Sequence, residues 1–144
     1  MKELREDSIW IAIGETIPGI GEAAGFAGRS DCGAVNIFTG ITRNHEKGRR
    51  VRTLFYDCYE EMALSVLASL AAEARARHHV GNIAIFHRIG EVPVGGCSLI
   101  VAVSSAHRKE ALSATSELID TLKKEVPIWK KETFADEIKW KEEQ

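Results

Sequence analysis

Cysteine is scarce: the 144-residue chain holds three, Cys32, Cys58 and Cys97, with no CxxC spacing among them. An odd, scattered set supplies neither a disulfide framework nor a zinc-ligand pattern, and it suits a reducing compartment. Long apolar runs are missing too. The longest, around residues 98–103, is far too short to cross a bilayer. Residues 1–7 mix charges of both signs with no apolar stretch of signal-peptide form behind them, so the chain reads as cytosolic. An excess of one charge is also lacking, since 19 Lys and Arg stand against 21 Asp and Glu, a formal net charge of -2. That balance argues against a surface that wraps nucleic acid as a whole, and any anion site must be a local basic cluster. No repeat, low-complexity stretch or Pro/Gly/Ser linker divides the sequence, so one domain over residues 1–144 is expected.

What is present is an ordinary globular composition, 44% hydrophobic and 28% charged. Periodicity predicts strands over residues 8–13, 32–41, 51–59, 82–89, 97–104 and 128–134. A polar loop, TRNHEKGRR, joins the second and third of these and suggests a hairpin. Ala63, Val66, Leu67, Leu70 and Ala74 repeat at helical spacing, with Gly81 as the expected stop. Ala111, Leu112, Thr115, Leu118, Ile119 and Leu122 form a second stripe, capped by Ser105 and ended by Pro127. Residues 18–28, rich in Gly and Ala, suggest a short helix of low intrinsic stability. The expected order βαββαββαβ implies an α+β fold with helices packed on one mixed, largely antiparallel sheet.

Three clusters carry chemical interest. Ser104-Ser105-Ala106-His107-Arg108 stands at a strand-to-helix junction, where free N–H groups and the helix dipole favour anions. Basic side chains there are disfavoured by the dipole, so either an anion offsets them or they are simply solvated. The loop over residues 42–52 holds Arg43, His45, Lys47, Arg49, Arg50 and Arg52, with Glu46 as its one acid. It reads as a solvated hairpin tip or as a phosphate or nucleic-acid contact; Arg43, at the strand end, has the best-fixed position. Lys123 and Lys130 flank the Val126-Pro127 break, so a chain reversal there would turn both amines to one pocket. Such amines serve as general acid or base, although lysines at a helix C-terminus are also favoured by the dipole alone. The cysteines sit in or at the start of apolar strands and read as small buried hydrophobes. His78, His79 and His87 have no partner at metal-ligand spacing.

Four blocks in order, GAVNIFTGITRNH (33–45), FHRIGEVPVG (86–95), VSSAHR (103–108) and DTLKKEVPIWKKE (120–132), resemble the MoaE family, the catalytic (large) subunits of molybdopterin synthase. The similarity runs over about residues 31–140 and only loosely over the first thirty. It implies an α/β hammerhead fold of the α+β class and a homodimeric core. A small ubiquitin-like subunit would dock at each end, giving a heterotetramer, and would deliver sulfur as a thiocarboxylate on its C-terminal Gly-Gly tail. The implied substrate is cyclic pyranopterin monophosphate, the product the dithiolene molybdopterin, with no metal or organic cofactor. Carried over by position, the resemblance implies Lys123 and Lys130 as catalytic residues. It implies Arg43, Thr42, His107, Arg108, Lys131 and Glu132 as substrate-binding, and Phe38 and Ile119 as pocket wall.

Because the thiocarboxylate is itself a nucleophile, the enzyme need not supply one. The rivals are a non-catalytic docking module for a ubiquitin-like protein, a nucleotide- or RNA-binding protein using the 42–52 loop, and a cysteine-based sulfurtransferase. Replacing Cys32, Cys58 and Cys97 together by serine or alanine is expected to leave sulfur transfer largely intact in an assay with thiocarboxylated partner and precursor. Loss of transfer in a folded triple variant would restore a persulfide route.

Overall fold

The computed structural model describes residues 1–135; Trp140 and the end of the charged tail lie outside the described residues. The chain runs β1 (Lys2–Arg5), β2 (Ile9–Gly14), α1 (Ile20–Ala27), β3 (Ala34–Ile41), β4 (His45–Glu46), β5 (Arg49–Cys58) and α2 (Glu60–His78). It continues through β6 (Ile83–Arg88), β7 (Gly90–Pro93), β8 (Cys97–Ser105), α3 (Arg108–Glu125) and β9 (Ile128–Phe134). Five strands form one sheet in the order β1-β2-β6-β8-β3. Only β2 and β6 pair in parallel; the other neighbours are antiparallel. A second, smaller sheet is built on β5, which pairs with β4, β7 and β9.

Side chains alternate across the five-stranded sheet, as the strand period requires. Ile9, Ile11, Ile13, Ile83, Ile85, Val101 and Val103 face one way and pack with the apolar stripes of α2 and α3. Trp10, Ala12, Ala84, Phe86, Ile100 and Ala102 face the other way, under Ala23 and Ala27 of α1. Both faces are covered, which is why β6 and β8 read as near-continuous apolar runs. The alanines of the second face let α1 lie close, and Trp10 fills the remaining space edge-on to Phe86 at 4.8 Å.

Several details depart from the sequence expectation. The helices pack on the larger sheet, but there are two sheets, and β3 and β5 are not a hairpin: β3 pairs with β8, and β5 anchors the other sheet. The polar loop instead folds back on the start of β5 as β4, through a turn in which Lys47 and Gly48 both have positive φ. That geometry matches the twist of a tight hairpin. The segment expected to be a turn at residues 92–96 begins as strand β7, and charged residues 2–5 form β1. Gly81 does not end α2. His79 does, in the left-handed conformation at φ 56°. Gly81 is there for space, since a Cβ would stand 2.5 Å from Ser104 Oγ. The α3 cap is His107 rather than Ser105, because β8 continues through Ser105. Ser105 is buried, and its hydroxyl accepts from the Ala111 N–H at 3.0 Å and donates to the His107 carbonyl.

Phe86 is fully buried at the centre of the α1 face. Phe86→Ala is expected to lower stability by about 3–5 kcal/mol, measurable by denaturant unfolding; a change within experimental error would contradict the packing described.

Candidate active site

The two sheets and the end of α3 enclose an open crevice of about 570 Å³. Pro127 creates it. The ring stops α3 at Glu125, Val126 caps the helix through its N–H to Leu122, and the chain turns into β9. Lys123 in the last helical turn and Lys130 on β9 therefore line the same crevice. In β9 the register places Lys130 opposite Tyr56 and Glu132 opposite Leu54, and all four face the crevice. Lys131 lies opposite Phe55 on the other face of that sheet, outside the crevice lining.

Arg43, His45 and Glu46 of the β4 hairpin form part of the rim, and Phe38 and Gly40 of β3 form a wall. Arg43 donates to Glu46 at 2.7 Å with 69% of its side chain exposed, and Lys130 stands 3.4 Å from Glu132. In both pairs the cation is the exposed member, while Glu46 and Glu132 keep 28% and 23% side-chain exposure, so an incoming phosphate can reach either cation. No described carboxylate pairs with Lys123. Of the basic residues in the 42–52 loop, Arg43 and His45 line the crevice, whereas Lys47, Arg49, Arg50 and Arg52 do not.

The floor is different in kind. His87 at the end of β6 is 5% exposed, and its ring stands 5.0 Å edge-on from Tyr56. Nδ1 lies 2.7 Å from the Arg88 carbonyl. Burial pushes the His87 pKa below the ordinary histidine value, against a smaller opposite pull from that carbonyl. The Tyr56 hydroxyl donates to Ser98 Oγ at 3.5 Å, and Ser98 donates to the Gly40 carbonyl at 3.3 Å.

Five of the residues singled out in the sequence therefore meet at one place: Phe38, Arg43, Lys123, Lys130 and Glu132. Thr42 does not line the crevice. It is buried, and its backbone ties the end of β3 to Gly95 and Gly96. Its hydroxyl has no hydrogen-bond partner among the described residues. Ile119 is half-buried against the core on α3, outside the crevice lining. His107 and Arg108 line a separate hollow beside Gly33 and Ala34, at the start of β3. Gly40 is six residues along that strand, so within one chain the two hollows are on the order of 20 Å apart. Sequence reasoning missed Tyr56 and His87. The signal for His87 was present: it continues the period-two series Ile83, Ile85 into the same face, and a polar residue there is informative.

Among the described residues no group of three or more His, Cys, Asp or Glu is placed to hold a metal ion, and no helix is long and apolar enough to cross a membrane.

The scaffold and the crevice define a class first: an α+β protein with a cation-rimmed, neutral-floored pocket between two sheets. The family model described as MoaE protein matches residues 18–125. Among relatives, the molybdopterin synthase catalytic subunit of Homo sapiens is 47% identical over 110 residues, 76% of this chain and 58% of that protein. Molybdopterin synthase catalytic subunit 1 of Aedes aegypti is 45% identical over 118 residues, 81% of this chain and 76% of that one. The crystal structure of molybdopterin synthase from Staphylococcus aureus matches with a TM-score of 0.83 at 32% identity, covering 92% of this chain and 95% of that chain. The chain belongs to the MoaE protein family, and it spans a little over half the length of the human relative.

Proposed function

We propose that the chain is the catalytic subunit of a molybdopterin synthase. It would convert cyclic pyranopterin monophosphate to molybdopterin, taking two dithiolene sulfurs from the C-terminal thiocarboxylate of a small ubiquitin-like partner. Family membership supports this reading. The observation that carries it is the convergence of Arg43, Lys123 and Lys130 on one crevice.

The chemistry follows from charge. The nucleophile arrives with the partner's tail, so the crevice must bind two anions side by side and place a carbon against the sulfur. Arg43 takes the substrate phosphate, giving up Glu46 for a stronger charge-assisted contact. Lys123, with no described carboxylate partner, holds the thiocarboxylate and stabilises the oxyanion of the thioester-like intermediate. Lys130 exchanges a proton with the opening cyclic phosphate or the leaving hydroxyl. Glu132, 3.4 Å from Lys130, aims that amine. The product needs two sulfurs, so the intermediate must stay bound while one spent partner leaves and a second docks.

His107 and Arg108, which the resemblance implies as substrate-binding, lie outside this crevice within one chain, and a homodimer would supply them. β3 is an edge strand of the larger sheet, with Val35 and Ile41 exposed. Such an edge invites pairing with another strand. α3 runs antiparallel to β8, hence along β3, and the Gly33 N–H bonds the Ala106 carbonyl at 3.2 Å where the two start. Antiparallel pairing of β3 with its copy about a two-fold axis would set the start of one β3 beside the end of the other, on the same sheet face. His107 and Arg108 of one chain would then close the Lys123–Lys130 crevice of the other.

Lys123→Ala is expected to lower dithiolene formation at least about 100-fold while the fold is kept. The assay is turnover of purified precursor with thiocarboxylated partner, and normal turnover in this variant would refute the assignment.

A further inference from the structure

His87 is a buried titratable group that the chemistry above does not use. Its tautomer is set by its surroundings. The Arg88 carbonyl can only accept, so Nδ1 carries the proton, 2.7 Å away. A neutral ring protonated at Nδ1 has a bare lone pair at Nε2. Burial keeps the ring neutral. Among the described residues no hydrogen bond reaches Nε2, although His87 is only 5% exposed and lines the crevice. Nε2 itself keeps contact with solvent, so a donor on a ligand in the crevice can reach its lone pair.

Its neighbours point the same way. Tyr56 and Ser98 add two hydroxyls to the floor, and Phe38 offers an aromatic wall. These groups carry no charge, whereas the rim carries Arg43, Lys123 and Lys130, with Glu46 and Glu132 beside two of them. A ligand with one anionic end and one neutral, N–H-bearing flat end would match that division.

We infer that His87 Nε2 is the acceptor for a ring N–H or exocyclic amine of the substrate's pterin, setting the heterocycle floor-down and the phosphate rim-up. The inference rests on the molybdopterin synthase reading and adds a specificity-determining residue to it. Such a site rejects a heterocycle lacking the donor, because Nε2 would then be left unpaired.

The test uses the complete complex with its small subunit and measures precursor binding and turnover. His87→Leu removes the acceptor. It should weaken precursor affinity and raise KM about ten- to hundredfold, with a smaller effect on kcat. His87→Gln offers an amide oxygen and should recover most of the loss. Competition by inorganic phosphate, held at the rim, should be unchanged in both variants, which also reports that the crevice is intact. A measurement without any variant guards against misfolding. In ¹⁵N-histidine wild-type protein, the pyridine-type Nε2 signal of His87 should shift when precursor is added and stay unmoved by inorganic phosphate. Unaltered KM in a folded His87→Leu complex, or an Nε2 signal blind to precursor, overturns the role of His87. A wild-type complex that forms no dithiolene instead overturns the reading on which it rests.

Discussion

Side chains alternate between the two faces of the five-stranded sheet, and the position of the crevice groups follows from that period. In β6, Ile83 and Ile85 bury themselves under α2 and α3, and His87 is the next residue on that face. In β3, Phe38 packs toward the same core and Ile37 toward the other. A one-residue slip in either strand would carry His87 or Phe38 to the α1 face and put Phe86 or Arg88, or Ile37 or Thr39, in its place. The core is therefore what aims the floor of the pocket. The fully buried isoleucines and valines of β2, β6 and β8 hold the register that the chemistry needs.

The smaller sheet contributes the opposite property, exposed charge held at a fixed height. β5 lies between β7 and β9 along its length, and the β5–β9 register turns Tyr56, Leu54, Lys130 and Glu132 inward together. Lys130 retains 47% side-chain exposure, so it keeps its hydration until a ligand displaces it. A dry floor below a wet cationic rim separates the two tasks of the site. Orientation belongs to neutral hydrogen bonds, which are directional and strong when buried. Capture belongs to exposed charges, which act at longer range and are cheaply exchanged.

Much of this was legible in the residues. The spacing across Val126-Pro127 allowed Lys123 and Lys130 to share a pocket if the chain reversed there, and the proline gave a local reason for the helix to end. The apolar stripes of α2 and α3 were visible for the same reason. What escaped was non-local. The pairing of β3 with β8 is settled across more than fifty residues of chain by sheet assembly, and the polar loop between β3 and β5 looked like an ordinary hairpin connection. The charged strand β1 has no apolar alternation of its own; it forms because β2 offers an edge, with Trp10 Nε1 donating to Glu3 at 2.8 Å. Thr42 and Lys131 sit beside the right residues in sequence yet point elsewhere, since neighbours on a strand face opposite sides. His107 and Arg108 are adjacent in sequence to nothing in the crevice, and only a second chain would bring them to it.

That two-chain crevice is the central claim, and mixing two inactive variants tests it directly. One chain carries Lys123→Ala and the other Arg108→Ala; they are unfolded together and refolded as mixed dimers. With a crevice shared across the two-fold axis, one site in each mixed dimer has intact Lys123 from one chain and intact Arg108 from the other. Random pairing should then restore roughly a quarter of the wild-type rate. Mixed dimers that form and remain as inactive as either parent would contradict the shared crevice.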